Sequence, residues 1–199
     1  MYKNLNNYVY KLGLLFACTL SINFTNKIVY CALLFTALTV VLNSIAKWHG
    51  SKKAAISILL CSATSFAFLY DKQYYISGKL IHGLILTSLC AILVASYIGL
   101  KLFLKLQTRY GFAASNCISL FISSLVDHLI MGLFFTRVFP IRKVWLIVYQ
   151  ETAYIYLFSA AIYLGSAIIL YAKPAYIKVK KQLRLLCTIR SVKSKIPPL

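Results

Sequence analysis

The chain has 199 residues, is 61% hydrophobic and has a mean hydropathy of +0.79; only 13% of its residues are charged, about half the ~25% of a soluble domain. Lys and Arg number 22 against three acids, a net charge of +19. So few acids leave paired-carboxylate catalysis little to work with. The cations fall between and after apolar runs, which fits membrane topology and anionic lipid and argues against nucleic acid.

The first apolar run spans about residues 8–25, after Lys3 and Lys11. It has the outline of a signal peptide, but no small-x-small cleavage site follows, so it reads as a retained first span. It ends in a polar exit, Asn23 to Lys27. The second span, 28–46, carries Thr36, Thr39 and Asn43 at i, i+3 and i+7. That stripe fits either the wall of a site or hydroxyl-mediated helix packing. A basic loop is expected at 47–53, with Trp48 suited to an interfacial belt and His49 solvated.

The third span, 54–70, is about 17 residues, near the lower limit for crossing a bilayer. A polar, aromatic connection, 71–75, leads to a fourth span at 80–100 that holds Gly83, Ser96 and Gly99. Lys101, Lys105 and Arg109 are expected to form the next basic loop. The fifth span, 111–137, is the most informative. Asn116, Ser119, Ser123 and Asp127 fall at i, i+3, i+7 and i+11, one helical face. An ionisable residue at membrane depth costs roughly 2.5–3.5 kcal/mol on insertion scales, so it should face protein or a wet cavity. The sixth span, 144–172, has Glu151 about two turns in, either a site acid or a residue at headgroup level. The domain expectation is a six-helix unit over 1–172 and a basic tail over 173–199 that contacts anionic lipid.

With six spans, sixteen of the 22 cations lie on the side of the termini. The positive-inside rule then places both termini in the cytoplasm. The six cysteines show no metal-ligand spacing, and five of them, all but Cys187, lie in apolar runs and read as small hydrophobes. Ser123, His128 and Asp127 offer a triad on paper only, because adjacent helix residues point about 100° apart. No catalytic or nucleotide-binding motif is present, so the expectation is a non-enzyme without cofactor or metal. The candidate solute wall is Asn23, Thr36, Thr39, Asn43, Asn116, Ser119, Ser123 and Asp127, with Glu151 added if it is a site acid. Hydroxyls, amides and a carboxylate of this kind suit a neutral, planar, hydrogen-bonding solute.

Three stretches also resemble a known family. They are SINFTNKIV (21–29), FTALTVVLNSIAKWHGSKKA (35–54) and ASNCISLFISSLVDHLIMGLFF (114–135). In order and layout they look like the queuosine precursor transporters, the vitamin-uptake-like family. The resemblance implies an all-α polytopic protein of six transmembrane helices, like the substrate-binding subunits of energy-coupling-factor transporters. It implies import of a deazaguanine precursor across the inner (cytoplasmic) membrane, with any ATP-driven energising partner on another chain. It matches Asn23, Thr36, Thr39, Ser124 and Asp127 to pocket or helix-contact positions. The chain departs from the pattern at Ala37, around Ile98 and Gly99, and around Tyr156. The rival expectation is a non-transporting membrane scaffold whose basic tail recruits a partner.

Overall fold

The computed structural model describes residues 2–25, 27–76 and 79–165. Residues 1–161 form one compact unit and 162–199 a second; the contacts below belong to the first. The basic tail, Cys187 and the expected lipid contact lie outside the described residues.

Among the described residues the protein is all-helical apart from one two-residue ladder. In order come α1 (Tyr2–Ile22), α2 (Ile28–His49), α3 (Ser51–Leu69), β1 (Tyr75–Ile76), β2 (Lys79–Leu80), α4 (Leu84–Phe135) and α5 (141–165). Among the described residues three helices, α2, α3 and α4, are long and apolar enough to cross a membrane, with mean hydropathies of 2.2, 1.4 and 1.9. The chain is therefore a membrane protein by length and composition. Leu59, Leu60, Phe68, Leu129 and Leu133 point outward, more than half exposed, as expected of side chains that meet acyl chains. Trp48 and Trp145 are equally exposed and sit near helix ends, where an indole can face headgroups.

α4 is 52 residues long and is broken at Gly111, where φ is 74° and ψ 179°. Only glycine adopts that backbone region readily. In a straight helix residues 99 and 119 would stand about 30 Å apart. Instead Ser119 Oγ donates to the Gly99 carbonyl at 2.8 Å, and the rings of Phe103 and Phe112 meet edge-on at 5.5 Å. The helix thus folds back on itself as two antiparallel arms, 84–110 and 112–135. Gly50 is the matching joint between α2 and α3, with φ 94°. The Gly50 N–H donates to Ala46 and its carbonyl accepts from Ala54.

Two expected basic loops are corrected by these joints. Residues 47–53 are helix on either side of a one-residue corner, and Lys101, Lys105 and Arg109 lie on the first arm of α4. Their long apolar stems let the charges reach water while the helix continues. His49 is part-exposed: its ring packs edge-on against Tyr8 at 5.2 Å with Nε2 buried and unbonded.

The helices alternate in direction. α1 and α3 run parallel, since Tyr8 bonds Ser57 and Cys61 reaches the Leu12 carbonyl. The second arm of α4 and α5 run antiparallel, with Ser159 on Cys117, Thr152 on His128 and Val148 beside Gly132. The main core lies between α1, α2, α3 and the first arm, around Leu15, Leu38, Leu42, Ile58 and Phe103. A smaller cluster of Phe35, Ala95, Leu120 and Ile155 ties in the second arm and α5.

Candidate functional site

All polypeptide turns at one end of the bundle converge on a cavity of about 330 Å³. Its wall takes Asn23 and Thr25 from the end of α1, Cys31 and Phe35 from α2, and Tyr74 and Tyr75 from the connection after α3. Ile85 and Ser88 come from the first arm of α4, Asp127, Met131 and Phe135 from the second, and Glu151 from α5. The volume sits at the small end of ligand sites, and an apolar lining with a few convergent polar groups is their usual form.

The connection after α3 closes one side. Tyr74 donates its hydroxyl to the Asn23 carbonyl at 2.6 Å, and its own carbonyl accepts from Ile81 at 2.9 Å. This pins the short hairpin of β1 and β2 to the end of α1. Burial pushes the Tyr74 phenol above its ordinary value, so it stays a donor.

The nine expected site residues separate into two groups. Asn23, Asp127 and Glu151 line the cavity. Thr36, Thr39, Asn43, Asn116, Ser119 and Ser123 are buried elsewhere, in helix contacts. Thr36 and Thr39 donate back to the carbonyls of Ala32 and Phe35, one turn earlier in their own helix. Asn43 donates to Asn116 Oδ1 at 2.8 Å and lies 3.4 Å from Ser119 Oγ, which in turn holds Gly99. Ser123 donates to Leu120, and Ser124 to Phe121. The reason for the split is depth. Eleven residues of helix rise about 16 Å, whereas a sphere of 330 Å³ is about 9 Å across. One stripe from Asn116 to Asp127 is too long to face one such cavity. Its upper part braces α2 against both arms of α4, and its last member reaches the space.

Asp127 and Glu151 are two of the three acids in the whole chain, and no Lys, Arg or His lines the cavity among the described residues. Beside them stands His128, 5% exposed. Its Nδ1 is 2.8 Å from Thr152 Oγ1. Its Nε2 is 3.5 Å from Glu151 Oε2, close enough for an ion pair yet without hydrogen-bond geometry. No group able to hold a metal ion occurs among the described residues.

No protein family, curated protein or solved structure matches the chain.

Sequence reasoning missed His128 as a partner of Glu151, and the aromatic wall of Phe35, Tyr74, Phe135 and Phe139. The tyrosines read only as part of a polar, aromatic connection, and no local pattern links position 128 to position 151. The signal that was available is the rarity of ionisable groups in apolar runs, and it points to Asp127, His128 and Glu151 alike.

Proposed function

We propose that the chain is a six-span inner-membrane importer of a small heterocyclic solute, a deazaguanine precursor of queuosine, with both termini cytoplasmic. The observation that carries this reading is the cavity. It combines aromatic walls, an amide and two carboxylates, which suit a flat base with an N–H edge. Its position supports import. The ends of α1, α3 and the second arm of α4 lie around it, opposite the corners Gly50 and Gly111. Lys47, Lys52, Lys53, Lys101, Lys105 and Arg109 all belong to the Gly50 and Gly111 end. The positive-inside rule makes that end cytoplasmic and leaves the cavity facing outward. The two arms of α4, at about 40 and 36 Å, are each long enough to span, so the fold accommodates six crossings. The solute class comes from the sequence resemblance to the queuosine precursor transporters.

Topology has a direct check. A single cysteine placed at Lys72 in a cysteine-free background should react with an impermeant maleimide added outside intact cells, and one at Tyr110 should not. Labelling of both from outside overturns the orientation.

Uptake decides the function. Labelled queuosine precursor should accumulate in transporter-deficient cells that express the chain. Asp127→Asn keeps shape and one acceptor but removes the charge, and should weaken binding by about 1.5–3 kcal/mol, the range for a hydrogen bond to a charged group. Normal insertion with no uptake by the unmutated chain would favour the scaffold instead.

A further inference from the structure

The cavity holds more carboxyl groups than a neutral base requires. One carboxylate suffices to accept from an N–H pair, yet Asp127 and Glu151 both line the space and, among the described residues, no Lys, Arg or His does. Two carboxylates in an apolar enclosure need a compensating positive charge or a shared proton. His128 stands in the right place to supply one. It is 5% exposed, its Nε2 lacks a hydrogen bond, and that atom faces Glu151 Oε2 at 3.5 Å. Two bare acceptors facing each other at that distance would repel, so a proton belongs between them.

We propose that Glu151 and His128 form an exchange site that holds either a proton or the ammonium group of a cationic solute, never both. The inference rests on the importer reading only for the identity of the cavity as a solute site. In the proton-loaded state His128 is an imidazolium paired with Glu151. When an organic ammonium enters, its N–H groups take the Glu151 and Asp127 oxygens, and the positive field it brings expels the proton from His128 Nε2 to water. Only that N–H bond breaks, and the net charge of the site is unchanged.

Three features support this exchange. Thr152 faces His128 Nδ1 at 2.8 Å, and its hydroxyl oxygen accepts from Nδ1–H both in the imidazolium and in the neutral ring left when Nε2 loses its proton, so it serves both states. A metal ion is a poor rival, because no three suitable side chains converge among the described residues. The remaining wall, including Phe35, Phe135 and Tyr74, accepts the apolar body of an organic cation and stacks on it. The other titratable groups on the wall are the Cys31 thiol from α2 and the Tyr74 and Tyr75 phenols from the connection after α3. The first arm of α4 contributes none. Thiols and phenols are neutral through pH 7. Lys143 Nζ lies 4.7 Å over the ring of Phe139, a residue of the wall.

The test is calorimetric titration of the purified full chain with benzylamine, with benzyl alcohol as its neutral isostere, and with 7-deazaguanine. Benzylamine should bind about tenfold or more tightly than benzyl alcohol. Its affinity should rise about tenfold per pH unit until the pair has lost its proton, and heats in buffers of different ionisation enthalpy should show one proton released. His128→Gln should retain benzylamine binding and flatten the pH slope; Glu151→Gln should erase the preference over benzyl alcohol. Equal affinity of the two isosteres, or a pH-independent benzylamine affinity in the unmutated chain, overturns the exchange site whether or not the variants fold. The 7-deazaguanine arm keeps the two readings apart. Binding of 7-deazaguanine without benzylamine preference removes the exchange and leaves the importer reading, whereas the reverse pattern keeps the exchange and removes the deazaguanine.

Discussion

Gly111→Ala is expected to destabilise the protein although a methyl group there would touch nothing. A Cβ built at Gly111 meets no heavy atom within 4 Å, so crowding is not the cause. The cause is backbone: φ 74° with ψ 179° is a region that an L side chain enters at a cost of about 1–3 kcal/mol. For a chain of this length that corresponds to about 2–12 °C in thermal midpoint. Gly111→Val should cost more, because a β-branched side chain narrows the allowed backbone further. Gly13→Ala is the internal control. Gly13 lies inside α1 with ordinary helical backbone and open space around it, so alanine there should be neutral or stabilise by up to about 1 kcal/mol. Thermal unfolding of the three variants in one detergent decides the matter. Equal midpoints for Gly13→Ala and Gly111→Ala would mean that the reversal does not depend on a glycine-only conformation.

The same residue shows what could be read from the sequence and what could not. Hydropathy marks apolar runs well, because lipid-facing and core-facing positions are both apolar. It therefore placed most helix bounds to within a few residues, although α1 starts six residues before the expected 8 and the first arm of α4 runs ten past the expected 100; Gly111 fell at the start of a run. It failed at the joints. Lys47 to Lys53 and Lys101 to Arg109 looked like solvated loops because charge signals water, yet long basic side chains let a helix persist to a one-residue corner. Positive φ at Gly50 and Gly111 carries no signature that separates them from Gly13.

The site was legible in the same partial way. Asp127 and Glu151 stood out as ionisable groups in apolar surroundings, and both line the cavity. Periodicity then grouped Asn116, Ser119 and Ser123 with Asp127, because a 3.6-residue repeat reports which face a residue occupies and nothing of its depth along the axis. The structure spends those three on packing. The pairing of His128 with Glu151 depends on how α5 docks against the second arm of α4, a tertiary register that no single-segment pattern encodes.

That packing is the second place where a large effect is expected. Gly99→Val should destabilise the protein by about 2–4 kcal/mol, from overpacking and a strained or lost interhelical hydrogen bond. A Cβ at Gly99 would stand 2.9 Å from Ser123 Cβ and 3.2 Å from Ser119 Oγ. Neither neighbour is the far end of a flexible side chain, so the two arms of α4 must part. The Ser119 bond to the Gly99 carbonyl, 2.8 Å, would lengthen with them, and Asn43 would lose the alignment of its partners. Gly99→Ala should show the same effect at smaller size, and Ser123→Gly should offset part of it by removing the Cβ that clashes. Glycine at 123 alone costs about 1 kcal/mol of helix propensity, so rescue appears as the double variant outperforming the sum of the singles. Strict additivity of Gly99→Ala and Ser123→Gly would mean that the two residues do not bear on each other. The effect should also reach the cavity. Asp127 is one turn beyond Ser123 on the same arm, so an arm displaced at Gly99 carries its carboxylate away from Glu151. Solute affinity should therefore fall in Gly99→Val measured well below its unfolding temperature, and recover in step with stability in the Gly99→Ala and Ser123→Gly double variant.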